Sequence, residues 1–181
     1  MQEAWYKSYG IHMNPNLAKN GYVCLSLLGT WYGRGCEKWI PHKSTVLQLL
    51  VSIQALVLNS QPYFNEPSMV PFRSRLPHNK KLSLSYNETV FLRSLCTITW
   101  VLHKPPMHFK RFVESHFRSR GRAILLACKA YMEGAMVGSN DLSRRDGKSS
   151  SMEFRSQLKP YFDRLLRDFK AIGADCEGIA A

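Results

Sequence analysis

The sequence lacks the cysteine and histidine spacings that usually mark disulfide frameworks and zinc sites. Its five cysteines are odd in number, and no two of them stand at Cys-x-x-Cys spacing. They are Cys24, Cys36, Cys96, Cys128 and Cys176. No combination of cysteine and histidine has zinc-ligand spacing, so we predict neither a bound metal nor a disulfide scaffold. Free thiols are typical of a reducing compartment, and we expect a cytoplasmic or nuclear protein.

Long hydrophobic runs are also missing. The longest, Val46–Leu58, is interrupted by three polar residues. It is shorter than the roughly 20 apolar residues that cross a bilayer. The first residues, Met1-Gln-Glu-Ala, have neither the basic start nor the apolar stretch of a signal peptide. We therefore expect no transmembrane segment, while peripheral attachment to an internal membrane stays open.

Acidic residues are scarce relative to basic ones. Lysine and arginine number 25 against 13 aspartates and glutamates, which gives a net charge of +12. A surplus of this size favours acidic partners, such as nucleic acid, a membrane surface or an acidic protein face. The basic residues are scattered, and none forms a long run interleaved with aromatic residues, as single-strand binders tend to show. We predict no specific nucleic-acid partner, and a solvated basic surface is the alternative to an acidic partner.

Apolar material is plentiful enough for a folded core. With 181 residues, 45% of them hydrophobic, the chain fits one domain with an appended segment. The patterns predict, in chain order, a strand over 4–9, a core helix from Thr45 to about Asn59, a helix from Asn87 to Pro105-Pro106, helical chain over 108–134 broken at Gly121, and a polar linker over 139–151. A last amphipathic helix, kinked or restarted at Pro160, is predicted from Phe154, Leu158, Phe162, Leu165, Leu166 and Phe169.

The stretch from Asn14 to Pro67 carries the pattern with chemical meaning. Asn20-Gly21 is a strong tight-turn dipeptide, and an apolar run containing Cys24 follows it at once. Asn16 precedes Cys24 by eight positions and is expected to fold back beside it. A thiol with a nearby amide donor fits acyl transfer, in which the thiolate attacks and the amide steadies a developing oxyanion. The open alternative is a buried, inert cysteine in an ordinary hairpin.

Longer motifs resemble the ubiquitin-conjugating (UBC) enzymes. That family's signature is His-Pro-Asn, a cysteine eight residues after the asparagine, and a later Trp-x-Pro; here it reads Asn14-Pro-Asn16, Cys24 and Trp39-Ile-Pro41. The chain is most similar to the large hybrid conjugating and ligase branch, which includes the plant phosphate-homeostasis enzyme. The motifs that carry this closer likeness are Cys24-Leu-Ser-Leu-Leu-Gly-Thr-Trp31, Gln61-Pro-Tyr-Phe-Asn-Glu-Pro67, His116-Phe-Arg118 and Ala127-Cys-Lys-Ala-Tyr-Met-Glu-Gly-Ala135.

The resemblance implies an α+β protein that accepts ubiquitin as a thioester on Cys24 and passes it to a substrate lysine. By the same resemblance, Asn16 supports the oxyanion or orders the loop, and Glu66 orients the incoming amine or helps to deprotonate it. For Glu66 a solvated loop carboxylate is the alternative. Residues 39–41 fall where the family contacts ligases, with local packing of Trp39 as the alternative. The implied partners are ubiquitin, the ubiquitin-activating enzyme, a substrate protein and a ligase in some cases. ATP is used by the activating enzyme, and no cofactor is expected on this chain.

Two departures from the family pattern accompany this resemblance. Asn14 replaces the usual histidine, whose role is mainly structural, so activity is still expected. The family's first helix and first strands have no counterpart here, so the chain resembles an N-terminally truncated, C-terminal part of the fold: residues 1–138 as a partial core, 139–151 as a linker, and 152–181 as a final helix and tail. The alternative function is therefore a truncated or inactive variant that serves as a binding module.

Overall fold

The computed structural model describes residues 2–30, 33–65, 76–138 and 149–179. The chain divides into two units, Met1–Val90 and Phe91–Ala181. Each unit has its own cluster of buried apolar side chains. No helix among the described residues combines the length and the hydropathy needed to span a bilayer.

The first unit is built around loops rather than a sheet. The predicted strand over 4–9 is wrong, because extended pairing among the described residues is limited to isolated bridges. These bridges join Trp5 to Tyr22, Asn14 to Leu17, and Leu17 to Val23. Segment 4–6 does contact 21–23, with Tyr6 N donating to Gly21 O at 2.8 Å. One short partner supplies too few consecutive ladder bonds for a strand.

The predicted turn at Asn20-Gly21 is confirmed. The φ of Gly21 is 99° and its N–H donates to Ala18 O at 2.9 Å. A Cβ at Gly21 would collide with the carbonyl oxygen of Tyr6. Glycine is therefore required here both for its conformation and for the close approach of the first segment.

Helix α1 spans Val46–Ser52 and continues as a π-helical turn over Ile53–Val57. Thr45 begins it with a capping box, in which Gln48 N donates to Thr45 Oγ1 at 3.2 Å and Thr45 N donates to Gln48 Oε1 at 3.1 Å. The prediction that the helix at 45–59 is core is confirmed for Val57, which is 1% exposed, whereas no residue of Val46–Ser52 is buried. Its exposed apolar side chains are Val46, Leu47, Leu50 and Val51. Leu49 and Ile53 are partly buried against the core cluster of the first unit.

Helix α2 spans Pro77–His103, so it begins ten residues before the predicted start at Asn87. Proline suits the first position of a helix, where its missing N–H has no intrahelical partner. The first helical turns, before Asn87, have no apolar stripe, so the sequence pattern does not predict them as helix. The sequence also predicts one apolar face on this helix, and the structure confirms it, because Leu95 is buried in the core of the second unit and the other members pack against that core: Phe91, Ile98 and Leu102.

Helix α3 spans Lys110–Met132 without the predicted break at Gly121. Gly121 is buried, and a Cβ on it would lie 3.0 Å from Cδ2 of Phe169 and 3.3 Å from Cβ of Ala174. The glycine thus serves close packing against the final helix and tail instead of ending a helix. Leu125, Cys128 and Tyr131 are buried on the same helix.

Helix α4 spans Met152–Ala171 and continues through Pro160, so the predicted restart there is wrong. Ser151 caps it by accepting a hydrogen bond from Phe154 N at 3.1 Å. All the apolar residues predicted for its core face are buried: Phe154, Leu158, Phe162, Leu165, Leu166 and Phe169. Most of the predicted linker, residues 139–148, lies outside the described residues.

Candidate active site

The turn at Asn14-Pro-Asn16 is closed by its own first side chain. Asn14 Oδ1 accepts from Asn16 N at 2.9 Å, and Asn14 O accepts from Leu17 N at 2.9 Å. This is an Asx turn, in which a side-chain oxygen takes the place of a backbone carbonyl. It sets the direction in which Asn16 leaves the turn.

Asn16 and Cys24 are brought together by a pair of hydrogen bonds. Cys24 N donates to Asn16 O at 2.8 Å, and Asn16 Nδ2 donates to Cys24 O at 3.0 Å. Cys24 is a free cysteine, and the residue is partly buried. The chemical roles of Asn16 and Cys24 stay predictions, but the two residues are joined directly by these two hydrogen bonds.

The residue after Cys24 is held from the other side by Thr30. Thr30 Oγ1 accepts from Leu25 N at 2.7 Å and donates to Leu25 O at 3.1 Å. A single 3₁₀ turn over Ser26–Leu28 lies between Leu25 and Thr30, and its residues Leu27 and Leu28 are buried. Gly29 ends the turn with a φ of 70°. The Cys24 backbone is thereby fixed on both sides. Thr30 has no part in the sequence prediction, because a lone threonine in a loop carries no distinctive signal.

A network of asparagine side chains links the Asn14-Pro-Asn16 turn to the carbonyl of Val57. Asn14, which is 2% exposed, donates from Nδ2 to Val57 O at 2.8 Å. Asn65 Nδ2 donates to the same carbonyl at 2.8 Å and lies 3.2 Å from Asn14 Oδ1. Asn59 Nδ2 in turn donates to Asn65 Oδ1 at 2.6 Å. Val57, the last residue of the π-helical turn, supplies the carbonyl oxygen that accepts both of these amide hydrogen bonds. Asn59 and Asn65 are missing from the sequence prediction, although three asparagines around one apolar helix were a usable signal.

Tyr6 anchors the opposite end of the same loop. Its hydroxyl lies 3.1 Å from Ala18 O and 3.3 Å from Leu17 O. Burial raises the pKa of the Tyr6 phenol above its ordinary value. The hydroxyl therefore remains a protonated donor to backbone carbonyls at neutral pH.

The remaining predicted site residues divide into described and undescribed ones. Glu66 and Trp31 lie outside the described residues. Trp39 is partly buried against the first core cluster, and its backbone N–H donates to Leu27 O at 2.9 Å. Ile40 and Pro41 beside it are exposed. Among the residues that the structure describes, no three His, Cys, Asp or Glu side chains cluster in a way that could hold a metal ion.

Comparison with known proteins adds the following. No protein-family model matches the chain. It is 46% identical over 171 residues to the probable ubiquitin-conjugating enzyme E2 24 of Arabidopsis thaliana, a match that covers 94% of this chain and 19% of that protein. It is 43% identical over 175 residues to the putative ubiquitin-conjugating enzyme E2 38 of the same plant, covering 93% of this chain and 53% of that protein.

A human relative matches at lower identity. It is the dual E2 ubiquitin-conjugating enzyme/E3 ubiquitin-protein ligase BIRC6, 35% identical over 147 residues, which are 79% of this chain and 3% of that protein. The chain thus spans about a fifth of the first relative's length and about half of the second's. Because the identity extends over nearly all of this sequence in the plant proteins, the chain belongs to the ubiquitin-conjugating enzyme family and matches a part of its members.

Proposed function

We propose that this chain accepts ubiquitin as a thioester on Cys24 and transfers it to a lysine of a substrate protein. The observation that supports this most directly is the reciprocal hydrogen bonding of Asn16 and Cys24, a free cysteine that is only partly buried. An inert core cysteine is typically buried, as Cys128 is at 0% exposure. Cys24 has the accessibility that an exchanging thiol needs.

The proposed reaction has two acyl transfers. The Cys24 thiolate attacks the carbonyl that joins ubiquitin's C-terminus to a cysteine of the activating enzyme, and that enzyme's thiolate leaves. A lysine amine then attacks the Cys24 thioester, loses a proton, and expels the Cys24 thiolate as the isopeptide bond forms. The activating enzyme supplies the energy from ATP. This chain needs no cofactor for either step.

Asn16 is proposed to steady the oxyanion of the second transfer. An amide nitrogen has two N–H groups, and the bond to Cys24 O uses one of them. The second can donate to an oxygen that develops beside the thioester. The bond to Cys24 keeps the amide in place before the substrate arrives, which is the preorganisation that this form of catalysis requires.

The finer assignments belong to the same proposal. Glu66 orients the lysine amine or removes its proton, and Asn65, the residue before it, ties that loop to the Asn14 turn. Residues 39–41 contact a ligase where one takes part, which fits the exposure of Ile40 and Pro41. Residues 1–138 form the conjugating core, 139–151 a linker, and 152–181 a final helix and tail.

A charging assay tests the proposal. The full chain is incubated with activating enzyme, ATP and ubiquitin, and the products are separated with and without reductant. We expect one ubiquitin adduct that reductant removes and that Cys24→Ser abolishes. Cys176→Ser is the matched control, since Cys176 is another free and half-buried thiol, and it should charge normally. A chain that binds ubiquitin without charging, or a reductant-sensitive adduct that survives Cys24→Ser, would contradict the proposal, and the first result would favour a binding module.

A further inference from the structure

A cavity of about 730 Å³ opens within the second unit, far along the sequence from Cys24. Its walls come from the last turns of α2, the residue that follows α2, and the middle of α4. The residues that matter here are Trp100, His103, Lys104, Pro160, Tyr161 and Arg164. A volume of this size is typical of sites that receive a small ligand or a few residues of a peptide.

One part of the cavity is aromatic and apolar. Trp100 is 41% exposed, which leaves a large indole surface open to a ligand. Tyr161 and Pro160 belong to the lining on the α4 side. Proline within a helix lacks an N–H, and the flat ring suits contact with an aromatic side chain. Trp100, Pro160 and Tyr161 together provide an apolar surface that suits one planar or bulky apolar group.

The other part of the cavity is cationic. Lys104 Nζ lies over the Trp100 ring, 5.3 Å from its centroid, and Arg164 lines the same space. His103 also lines it and lies 3.4 Å from Asp168 Oδ1 on α4. Among the described residues that line the cavity there is no carboxylate. An arriving ligand therefore meets basic groups beside aromatic ones.

We propose that this cavity binds a short acidic peptide segment that contains one aromatic residue. The aromatic side chain enters between Trp100 and Tyr161, and flanking carboxylates pair with Lys104 and Arg164. Charge complementarity favours this occupant, because arginine pairs well with carboxylates and the whole chain carries a net charge of +12. A nucleic-acid strand is less suited, since such binders place cations along a groove that follows many phosphates. The proposal does not depend on the chemistry of Cys24.

Fluorescence anisotropy of labelled peptides on the full chain tests this site. The probe is Glu-Asp-Phe-Glu-Asp, compared with Glu-Asp-Ala-Glu-Asp and with the neutral Gln-Asn-Phe-Gln-Asn. We expect both comparison peptides to bind at least about tenfold more weakly, because each lacks one half of the recognised chemistry. Raising the salt concentration should weaken binding of the first peptide, as it screens the ion pairs.

Variants locate the binding. Trp100→Ala and Arg164→Gln should each weaken the acidic aromatic peptide about tenfold. Lys170→Gln, an exposed charge removed from the same helix away from the cavity, should change its affinity less than about twofold. If Trp100→Ala does not fold, as judged by circular dichroism, Arg164→Gln and the peptide comparison carry the test, and Trp100→Phe should retain binding because it keeps a ring.

Two results would overturn the proposal. The first is equal affinity for all three peptides, and the second is binding that neither the Trp100 nor the Arg164 substitution weakens. Either result would show that the cavity does not recognise an aromatic side chain flanked by carboxylates. A thymidine oligonucleotide that binds more tightly than the peptide, and through the same two residues, would assign the site to nucleic acid instead.

Discussion

Asn14 and Asn65 stand 51 positions apart in the sequence, yet their side chains lie 3.2 Å apart and both donate to the Val57 carbonyl. This arrangement joins three separate segments of the first unit: the turn before Cys24, the end of the helix at 46–57, and the loop that leads to Glu66. A buried carbonyl with two amide donors is well satisfied, and each amide also bonds elsewhere. The turn that precedes Cys24 and the segment that ends at Asn65 therefore share one support.

This support predicts a graded loss of stability. Asn14→Asp should lower the free energy of unfolding by about 3 kcal/mol or more, because it replaces a buried donor with a carboxylate facing a carbonyl. Asn14→Ala should cost about 1 to 3 kcal/mol, since Asn16 N loses its acceptor. Asn65→Ala should cost about 1 kcal/mol, because Asn14 still donates to Val57 O.

Urea unfolding followed by tryptophan fluorescence measures these differences. Gln54→Ala is the control, as Gln54 is exposed on the π-helical turn and should shift stability by less than about 0.5 kcal/mol. An Asn14→Asp protein as stable as this control would show that the amide network contributes nothing.

The amide of Asn16 should matter more for lysine transfer than for charging. If the amide donates to the oxyanion, Asn16→Ala should slow discharge of the Cys24 thioester to lysine about 100- to 1,000-fold. Thioester formation should fall much less. Single-turnover discharge of pre-charged protein measures the first quantity. Asn20→Ala removes another loop amide, one that accepts from Tyr22 N, and should discharge at the parent rate. Equal discharge by Asn16→Ala and its parent would reject this role.

Gly121 should tolerate no branched side chain. Because a Cβ there would already lie 3.0 Å from the ring of Phe169, Gly121→Val should overpack the second core and lower the free energy of unfolding by about 2 to 3 kcal/mol. Ser119→Val supplies the control, because it places the same β-branched residue at an exposed position of the same helix. Thermal unfolding compares the two. A Gly121→Val protein no less stable than Ser119→Val would mean that Phe169 and its neighbours rearrange to accommodate the added side chain at little cost in stability.

Cys128 should make the protein less stable at alkaline pH. Burial raises the pKa of its thiol to about 12, whereas an unfolded cysteine titrates near ~8.5. Between these values the folded state keeps a proton that the unfolded state releases, so stability falls as pH rises. From pH 8 to pH 10 the loss from this thiol amounts to about 2 kcal/mol.

Cys128→Ala isolates this contribution. The variant should be somewhat less stable than its parent at pH 8 because of the cavity, but its stability should decline less steeply toward pH 10. Burial also raises the pKa of Cys176 and Tyr131, so part of the decline remains in both proteins. Urea unfolding at the two pH values gives the two slopes. Parallel slopes would contradict a buried, protonated Cys128.

Local patterns predicted the second unit better than the first. The stripe on α4 and the stripe at the end of α2 follow the helical period, and both lie in one core. The same period in α1 identified a helix but not its environment, because periodicity shows which side chains share a face and not what covers them. Gly121 shows the same limit, since a glycine in a helical pattern fits either a helix end or a close contact.

The sequence by itself determined the turn at Asn20-Gly21, the eight-residue spacing of Asn16 and Cys24, and the amphipathic helices. These depend on backbone preferences and side-chain periods that act over a few residues. Only the tertiary structure decided that Asn14 and Asn65 share one carbonyl, that Phe169 occupies the space above Gly121, and that Trp100 and Arg164 line one cavity. Such contacts join residues tens of positions apart, and packing selects them because local sequence preferences do not extend that far.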